Sequence, residues 1–339
     1  MKKITGILLV NLGTPDSPKT RDVYRYLIEF LTDDRVLESP WLIRQFLVRG
    51  IIVPSRYRQS SKSYHDIWTS KGSPLKAYGY QIQETLQERL GRNYVIELGM
   101  RYQNPSIETA LKRLQQAAVD KLVILPLFPQ YASATTGSIH QKVMEVISKW
   151  NIIPELQFVN HYSTHPRLIE AFCAVASPYP ISNYDHVLLS FHGLPQSQLL
   201  KGDSCGQCLS KDSCCSAVTE ANKNCYSAQC YATARALIEK LNLDASQFSI
   251  SFQSRLGKEP WLQPYTNEVI TNLAKRGKRR LLVFCPSFVC DCLETIYEIG
   301  IEYAKEFKHA GGEKLDLVPG LNDHPAWIEA LMDFIKERE

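Results

Sequence analysis

Three glutamates and one histidine are the residues of this chain whose types and spacing are best suited to chemistry. Glu294, Glu298 and Glu302 stand at positions i, i+4 and i+8, so a helix would align their carboxylates along one side. A solvated helix face is the plain alternative, but like charges in a row cost stability and no Lys or Arg intervenes before Lys305. A row of carboxylates could pass a divalent cation, or protons, along a path.

The histidine is His192, which ends an apolar run and is followed by Gly193 and Pro195. This pattern predicts a buried strand that stops at the histidine. A lone histidine at a strand end is more often structural than catalytic. An imidazole has an ordinary pKa of about 6.5, however, so at physiological pH it can accept a proton or bind a metal ion. Together with the carboxylates, it predicts chemistry that involves protons, a metal ion or both.

A third group of residues is a cluster of cysteines. Six of the ten cysteines lie between Cys205 and Cys230, spaced C-x2-C-x5-C-C-x9-C-x4-C. The N-terminal apolar run is interrupted by Asn11 and passes into a turn, which favours a buried first strand over an export signal. We therefore expect a cytoplasmic protein with reduced thiols, in which clustered cysteines indicate metal binding before disulfides.

Composition narrows the class of protein. The chain has 339 residues, of which 44% are hydrophobic and 22% are charged, as is typical of a globular protein. A net charge of +4 without a basic stripe argues against a nucleic-acid partner. The sequence contains no run of about 18 apolar residues, which argues against a membrane-spanning helix.

The elements that must position these residues follow from the pattern of apolar runs. Short runs rich in Val, Ile and Leu alternate with helical patterns, which predicts an α/β protein with parallel sheets covered on both faces. The runs lie at residues 6–12, 94–99, 121–127, 186–191, 248–252 and 280–284. We predict two doubly wound Rossmann-like domains that face each other across a cleft, with functional residues on loops at the carboxyl ends of the strands.

The turn-rich composition of residues 176–184 suggests the boundary between these domains. The predicted N-terminal domain covers residues 1–176 and the C-terminal domain covers residues 177–339, with the cysteine-rich insert at about 203–230. In this prediction the final helix is free to pack back on the N-terminal domain.

Five segments of the sequence, in the same order, resemble the ferrochelatase family, and the resemblance extends from end to end. They are LLVNLGTPDSP (residues 8–18), LPLFPQYASATTGS (125–138), SFHGLP (190–195), SFQSRLGKEPWLQPYT (251–266) and DCLETIYEIGIEY (291–303). The resemblance implies an enzyme of haem biosynthesis that inserts Fe²⁺ into a porphyrin, either protoporphyrin IX or coproporphyrin III, with release of protons.

By the same resemblance, the catalytic residues are His192, Glu294, Glu298 and Glu302. His192 and Glu294 are also transient ligands of the substrate Fe²⁺, and Glu298 and Glu302 follow behind Glu294 along the helix. The division of proton and metal roles within the pair stays open. Leu12 would lie against the other face of the macrocycle. The remaining candidate porphyrin-binding residues, several of them for the propionates, are Arg35, Arg101, Tyr131, Ser138, Arg255 and Trp261.

The cysteine-rich insert departs from the plainest pattern of the family. Some microbial ferrochelatases carry a [2Fe-2S] cluster on such an insert, so the resemblance implies the same cofactor here. The predicted ligands are Cys208, Cys214, Cys215 and Cys225, with Cys205 and Cys230 in reserve. Structural zinc is the main alternative, and unligated thiols are the next. Apolar surroundings in the sequence predict that Cys173 and Cys285 belong to the core.

Residues 41–53, WLIRQFLVRGIIV, are mostly large and apolar but include Arg44 and Arg49. A buried helix is one interpretation of this segment. The family resemblance places it at the lip of the porphyrin cleft, where an exposed apolar patch would contact a membrane surface. This interpretation predicts a cytoplasmic protein that attaches peripherally to the inner membrane.

Two other functions are compatible with the sequence. A cobalt or nickel chelatase for another tetrapyrrole would use the same frame of two domains. A non-enzymatic carrier of tetrapyrroles or metals would need a ligand site but no proton acceptor. The sequence leaves open the choice between the two porphyrins, the role of the cluster and the oligomeric state.

Overall fold

The structure, a computed structural model, describes residues 3–204, 206–210, 213–257 and 259–338. The chain divides into unit 1, which comprises Met1–Phe128, Ala132–Asn160 and Ile328–Glu339, and unit 2, which comprises Pro129–Tyr131 and His161–Trp327. The sequence suggested a boundary at residues 176–184. The division instead falls before His161, because the helix at Pro166–Ala176 packs against the helix at Tyr226–Lys240 within unit 2.

Unit 1 contains a parallel sheet of four strands in the order β2-β1-β3-β4. The strands are β1 (Thr5–Gly13), β2 (Tyr94–Tyr102), β3 (Lys121–Pro126) and β4 (Glu155–Phe158). In the central strand β1, Ile7, Leu8, Leu9 and Val10 are fully buried, because helices on both faces of a parallel sheet exclude water from it. The first apolar run of the sequence is therefore the centre of the unit 1 core.

The helices of unit 1 pack on β1 and β2 or on one another. They are α1 (Thr20–Leu31), α2 (Trp41–Leu47), α3 (Val53–Ile67), α4 (Pro74–Leu90), α5 (Ile107–Gln116) and α6 (Ser138–Ile147), together with the π-helical segments π1 (Val48–Ile52) and π2 (Ser133–Gly137). The last helix of the chain, α12 (Pro325–Lys336), belongs to unit 1 from Ile328 onward. Its Glu329 forms an ion pair with Arg89 of α4.

Unit 2 repeats the sheet order of unit 1. Its four parallel strands, in the order β6-β5-β7-β8, are β5 (His186–His192), β6 (Phe248–Gln253), β7 (Arg280–Phe284) and β8 (Lys314–Leu317). Its helices are α7 (Pro166–Ala176), a 3₁₀ turn (Ile181–Asn183), α8 (Gln196–Gly202), α9 (Tyr226–Lys240), α10 (Thr266–Lys275), π3 (Leu293–Tyr303) and α11 (Ala304–His309). The predicted fold class, two α/β units with parallel sheets, is confirmed.

The segment with the three glutamates forms the helix that the sequence predicted, and the structure shows that it is the π-helix π3. A π-helix has i→i+5 hydrogen bonds, forms rarely and is frequent at functional sites. Its start is held by the buried side chains of Asp291 and Thr295: the Thr295 hydroxyl donates to Asp291 at 2.9 Å, and the backbone N–H of Cys292 donates to the Thr295 hydroxyl at 3.1 Å. Contacts of this kind cannot be derived from the spacing of the glutamates.

The segment at residues 41–53 forms α2 and π1, and the alternative that it is a buried helix is wrong. Leu42, Phe46 and Trp41 are 73%, 69% and 63% exposed. The buried side chains here are Val48, Val53 and Arg44, and the Arg44 guanidinium donates to the carbonyl oxygen of Ser39 at 2.7 Å. None of the helices in the described ranges is both long enough and apolar enough to cross a bilayer.

Candidate active site

His192 is the last residue of β5 and is half-buried. Its Nδ1 lies 2.6 Å from the carbonyl oxygen of Gly193. Because a carbonyl oxygen can only accept, Nδ1 carries the proton of the neutral ring and Nε2 is the basic nitrogen. The rings of Trp261 and Phe288 flank the imidazole, with centroids 6.4 and 6.1 Å away. The strand end thus presents a histidine whose orientation is set by its own backbone and by two aromatic rings.

Gln253, which is absent from the sequence-based prediction, connects His192 with the glutamate helix. It ends β6 directly beside His192 in the strand register, and it is buried. Its Oε1 accepts a hydrogen bond from the Ser190 hydroxyl at 2.8 Å, and its Nε2 donates to the backbone carbonyl of Glu294 at 2.9 Å. The start of π3 is therefore fixed to the carboxyl ends of β5 and β6. The presence of Gln253 in a family-like segment was the only available signal.

The Glu298 carboxylate is bound on both oxygens. Oε1 accepts from the Ser254 backbone N–H at 3.0 Å and from the Tyr303 hydroxyl at 2.9 Å. Oε2 accepts from the Ser254 hydroxyl and, at 3.3 Å, from the amide of Gln253. Four donors hold this side chain in one orientation, so Glu298 ties π3 to the end of β6.

Glu294 and Glu302 differ from Glu298 in their surroundings. Glu294 is half-buried and accepts a hydrogen bond from the thiol of Cys292. Burial, the Glu294 charge and this hydrogen bond raise the pKa of the Cys292 thiol well above its usual value. Glu302 is exposed on the protein surface. Partial loss of hydration, followed by the charges of Glu298 and Glu306, raises the pKa of the Glu302 carboxyl. The three glutamates are therefore not equivalent.

Two further predicted porphyrin-binding residues lie in unit 2 near the end of β6. Trp261 is only 7% exposed, and its indole N–H has no hydrogen-bond partner among the described residues. A buried N–H without a partner costs free energy, so it marks a position where a ligand can supply the acceptor. Arg255 is exposed, and its guanidinium lies 4.6 Å from the ring centroid of Tyr265.

In unit 1, Asp33 collects three side-chain donors. The Arg101 guanidinium, the Ser138 hydroxyl and the Tyr102 hydroxyl lie 2.6, 2.6 and 2.8 Å from its Oδ2. Burial acts to raise the pKa of Asp33, but the hydrogen bonds from Ser138 and the Arg35 backbone, and the Arg101 charge, lower it on balance. Arg101 and Ser138, both predicted to bind porphyrin, are thus committed to an aspartate that sequence reasoning missed, and Ser138 is fully buried.

The other predicted porphyrin-binding residues are distributed between the units. In unit 1, Leu12 is half-buried near the end of β1, and Arg35 donates to Gln141 at 2.6 Å and to Ser133 at 3.0 Å. In unit 2, Tyr131 is half-buried, and its backbone N–H donates to the Gln229 side chain at 2.7 Å.

Three thiols of the insert lie close together. The Cys214 and Cys215 sulfurs are 3.6 Å apart, and Cys215 is hydrogen-bonded to Cys225. The hydrogen bond from Cys215, opposed by burial and assisted by the backbone N–H groups of Ala228 and Ser227, lowers the pKa of Cys225 to about 6. The same contact with Cys225, together with burial, raises the pKa of Cys215. One sulfur of the group is therefore prepared to be a thiolate, the form that binds metals.

The remaining predicted ligands fit a metal site less well. Cys208 is half-buried, Cys230 is fully buried in α9, and Cys205 lies outside the described residues. Within the described ranges, no group of three or more His, Cys, Asp or Glu side chains is placed to hold one metal ion. Cys285 is buried, whereas Cys173 is half-buried rather than part of the core, because it lies on a partly exposed position of α7.

Two solved structures have a similar fold. SirB from Bacillus subtilis with Fe³⁺ matches with a TM-score of 0.57 at 12% sequence identity, over 98% of this chain and 95% of that one. The sirohydrochlorin chelatase SirB from Bacillus subtilis subspecies spizizenii in complex with cobalt matches with a TM-score of 0.55 at 12% identity, over 98% and 94% of the two chains. At this identity the likeness concerns the fold alone.

Curated ferrochelatases are much more similar in sequence. The ferrochelatase of Coxiella burnetii is 42% identical over 335 residues, which cover 98% of this chain and 93% of the relative. The ferrochelatase of Legionella pneumophila is 43% identical over 333 residues, which cover 98% of this chain and 99% of the relative. The family model described as Ferrochelatase matches residues 4–339. The chain therefore belongs to the ferrochelatase family.

Proposed function

We propose that this chain catalyses the reaction of its family, the insertion of Fe²⁺ into a porphyrin for haem synthesis, with His192 and Glu294 as the reacting side chains. The observation that carries this assignment is the orientation of His192, whose Nδ1 is held by the Gly193 carbonyl. Metal insertion displaces the pyrrole protons of the macrocycle, so the site needs a base. A neutral imidazole with a basic Nε2 is the side chain best suited to that role at physiological pH.

The three carboxylates have separate roles in this proposal. Glu298 is bound by four donors and positions π3. Glu294, whose backbone is fixed by Gln253, is the carboxylate that meets Fe²⁺ or the displaced protons. Glu302 is exposed and has a raised pKa, which suits exchange of protons with water. The iron enters as substrate, and a transient ligand set of one imidazole and one carboxylate allows it to leave for the porphyrin.

The porphyrin would be held by side chains from the family-like segments, first of all Trp261 and Arg255. The unsatisfied indole N–H of Trp261 supports a role for this residue in binding the macrocycle or a propionate. Arg255 is exposed and stacked on Tyr265, so its guanidinium can reach a propionate carboxylate. Leu12, Tyr131 and Arg35 remain candidates on the grounds of family resemblance. Arg101 and Ser138 support Asp33 in this proposal, because the Arg101 guanidinium and the Ser138 hydroxyl both donate to its carboxylate.

The assignment is tested with anaerobic Fe²⁺ insertion assays on His192→Ala and Glu294→Gln. Both variants should lose more than nine-tenths of kcat and keep porphyrin binding, because neither side chain contributes much to contact with the macrocycle. Glu302→Gln should have a milder effect. Glu268→Gln, which changes an exposed carboxylate on α10, is the matched control and should behave as the wild type. Retention of a tenth or more of kcat by His192→Ala would show that another group is the base.

The same assay separates this function from the two alternatives. A cobalt or nickel chelatase would insert Co²⁺ or Ni²⁺ faster than Fe²⁺ at matched concentrations. A carrier would bind the porphyrin without turnover. Protoporphyrin IX and coproporphyrin III, compared as substrates by kcat/KM, would identify the porphyrin.

We propose, further, that the cysteine-rich insert holds a [2Fe-2S] cluster through Cys214, Cys215 and Cys225, with Cys208 as the fourth ligand. The contact between the first three thiols and the lowered pKa of Cys225 support this proposal. A cluster on four thiolates would supply an electron-accepting, coloured centre. Zinc would use the same ligands but give a colourless site.

Anaerobically purified protein should be red-brown and contain about two irons and two sulfides per chain, as a [2Fe-2S] cluster requires. Serine at Cys215 or Cys225 should remove the colour. The control is Cys173→Ser, which replaces a half-buried thiol of α7 and should leave the colour unchanged. A colourless protein with one tightly bound zinc would refute the cluster but leave the chelatase assignment intact.

We also propose peripheral attachment of a cytoplasmic protein to an anionic membrane through α2 and π1. The five large apolar side chains exposed there are Trp41, Leu42, Ile43, Phe46 and Ile51. From Trp41 to His65 the sequence contains no Asp or Glu, and exposed Arg49, Arg56, Arg58 and Lys62 lie on π1 and α3. Exposed apolar residues beside unopposed positive charges are typical of helices that bind the interface of anionic bilayers.

Vesicle sedimentation tests this surface. Wild-type protein should bind phosphatidylcholine vesicles that contain phosphatidylglycerol more tightly than vesicles of phosphatidylcholine alone. Phe46→Ser should weaken binding to both, and Ile152→Ser, which removes an 84% exposed side chain elsewhere in unit 1, should not. Equal binding by wild type and Phe46→Ser, or no binding by wild type, would refute membrane attachment through this surface.

A further inference from the structure

The first turn of α9 lies directly between the thiols of the insert and His192. We propose that Tyr226 is a positioning residue for His192, and that through it the state of the Cys215 and Cys225 thiols controls the orientation of the imidazole. The consequence for metal insertion rests on the proposed function. The consequence for the orientation of His192 does not.

The contact with His192 is a single hydrogen bond from a buried phenol. The hydroxyl of Tyr226 donates to the backbone carbonyl oxygen of His192 at 2.8 Å and lies 3.0 Å from the Ser287 hydroxyl. Tyr226 is buried, so water does not replace this donor. A buried phenol with two polar partners is a specific arrangement rather than a side chain that merely fills space.

The backbone carbonyl of His192 needs a hydrogen-bond partner because of where β5 ends. The Gly193 N–H donates to the Gln253 carbonyl at 2.8 Å, on the β6 side. The peptide group between His192 and Gly193 is planar and trans, so its carbonyl points the opposite way, to the β7 side. Pairing with β7 ends at Leu189, opposite Phe284. Tyr226 therefore takes the place of the missing strand partner.

The orientation of the imidazole depends on the same stretch of backbone. His192 Nδ1 contacts the Gly193 carbonyl, which belongs to the next peptide group. Rotation of the His192–Gly193 peptide would move that acceptor and change the direction of Nε2. Gln253 and Tyr226 hold this peptide from its two sides. Loss of the Tyr226 hydroxyl removes one of the two hydrogen bonds that hold this peptide group.

The thiols contact the same turn of α9 from its N-terminal end. Cys225 is the residue immediately before α9, and the backbone N–H groups of Ser227 and Ala228 in its first turn help to lower the pKa of the Cys225 thiol. The Cys215 sulfur contacts the Ser227 hydroxyl at 3.2 Å. Binding of a metal ion by these two sulfurs would replace the hydrogen bond between Cys215 and Cys225 and change the contact with Ser227, and Tyr226 is the first residue of the helix that Cys225 precedes.

A second contact from the same turn supports the coupling. Gln229, one turn after Cys225, accepts the Tyr131 N–H at 2.7 Å and donates to the Lys223 carbonyl of the insert at 2.6 Å. Its own backbone N–H donates to the Cys225 carbonyl at 3.0 Å. A shift of the cap would therefore reach Tyr131, a candidate porphyrin contact, as well as His192.

The first test is Tyr226→Phe, which removes the hydroxyl and keeps the ring. Its matched control is Tyr184→Phe, which removes a hydroxyl that donates to Asp316 at 2.7 Å at another place in unit 2. In the full chain, Tyr226→Phe should lower kcat about tenfold and leave KM for the porphyrin within twofold. The imidazole ¹⁵N resonances of His192, assigned by comparison with His192→Ala, should shift in Tyr226→Phe and stay in place in Tyr184→Phe.

The second test is the coupling to the thiols. Cys225→Ser should shift the same His192 resonances, and the double variant with Tyr226→Phe should show no larger shift or loss of kcat than the stronger single variant. Unchanged His192 resonances in Tyr226→Phe would overturn the positioning role. If the losses of kcat in the two single variants multiply in the double variant, the proposed coupling between the thiols and Tyr226 is wrong. If wild-type protein inserts no iron, the proposed function fails, while the resonance measurements still decide this inference.

Discussion

The conversion of Glu298 to glutamine tests whether this carboxylate is an anchor or a carrier. A carrier of protons or iron has to exchange partners, but the Glu298 carboxylate accepts four hydrogen bonds, from Ser254, Gln253 and Tyr303. Glutamine has nearly the same shape, carries no charge and presents an NH₂ group in place of one acceptor oxygen. In Glu298→Gln, that NH₂ group must face either the Gln253 amide or the Ser254 backbone N–H, both of which can only donate there.

The expected size of the effect follows from these contacts. Hydrogen bonds to a charged group contribute about 1.5–3 kcal/mol and neutral ones about 0.5–1.5 kcal/mol. The substitution weakens three bonds by loss of charge and abolishes at least one, which amounts to about 4–7 kcal/mol in full. Because Glu298 is half-buried, water compensates for roughly half of this loss, so the free energy of unfolding of unit 2 should fall by about 2–4 kcal/mol. For a unit of this size each kcal/mol corresponds to roughly 2–4 °C in Tm, so Tm should fall by roughly 5–15 °C.

The assay is calorimetric unfolding at pH 7, followed by iron insertion at a temperature where both proteins are folded. Glu302→Gln is the control on the same helix, since Glu302 is exposed and should leave Tm within about 1 °C. If Glu298 is an anchor, Glu298→Gln should have a much lower Tm than wild type, and its kcat should fall because π3 is misplaced. If Glu298→Gln has the Tm of Glu302→Gln but lacks activity, Glu298 is a carrier and the reasoning is wrong.

Three further predictions concern unit 1. The pKa of Asp33 is lower in the folded than in the unfolded protein, so its contribution to stability is complete above the unfolded pKa of about 3.9 and is lost as pH falls below that value. The urea midpoint should therefore fall more steeply between pH 5 and 2 in wild type than in Asp33→Asn. At pH 7, Asp33→Asn should also lower the free energy of unfolding by about 3–5 kcal/mol, because Arg101 loses its counter-ion. Burial lowers the pKa of His140 to about 4. The free energy of unfolding should therefore be at its full value above a pH of about 6.5 and should decline as pH falls from about 6.5 to about 4. The same decline should be smaller in His140→Gln. Gly13→Ala should give little folded protein by circular dichroism, because the added Cβ would lie 2.1 Å from a backbone carbonyl oxygen, whereas Gly72→Ala, at a similar positive φ but with open space, should fold.

The sequence by itself determined the features that depend on local pattern. Apolar runs mark strands buried on both faces, so the run at residues 6–12 identified the central strand β1 and the run at 186–191 identified β5. A stop signal of glycine and proline placed His192 at a strand end, where the carboxyl edge of a parallel sheet carries function. The family-like segments identified the activity, because they include the side chains that the chemistry needs.

Only the packing of the folded chain showed which polar side chains are hydrogen-bonded to one another. Asp33 binds Ser138 across 105 positions of the chain, and Gln253 binds Glu298 across 45. Such contacts depend on a few tenths of an ångström and on the angles of donors and acceptors, which no periodicity encodes. For the same reason the helix type of π3, the commitment of Arg101 and the link from Tyr226 to His192 were invisible in the sequence. Burial patterns fix the backbone, whereas hydrogen-bond partners are chosen only after distant segments have been packed together.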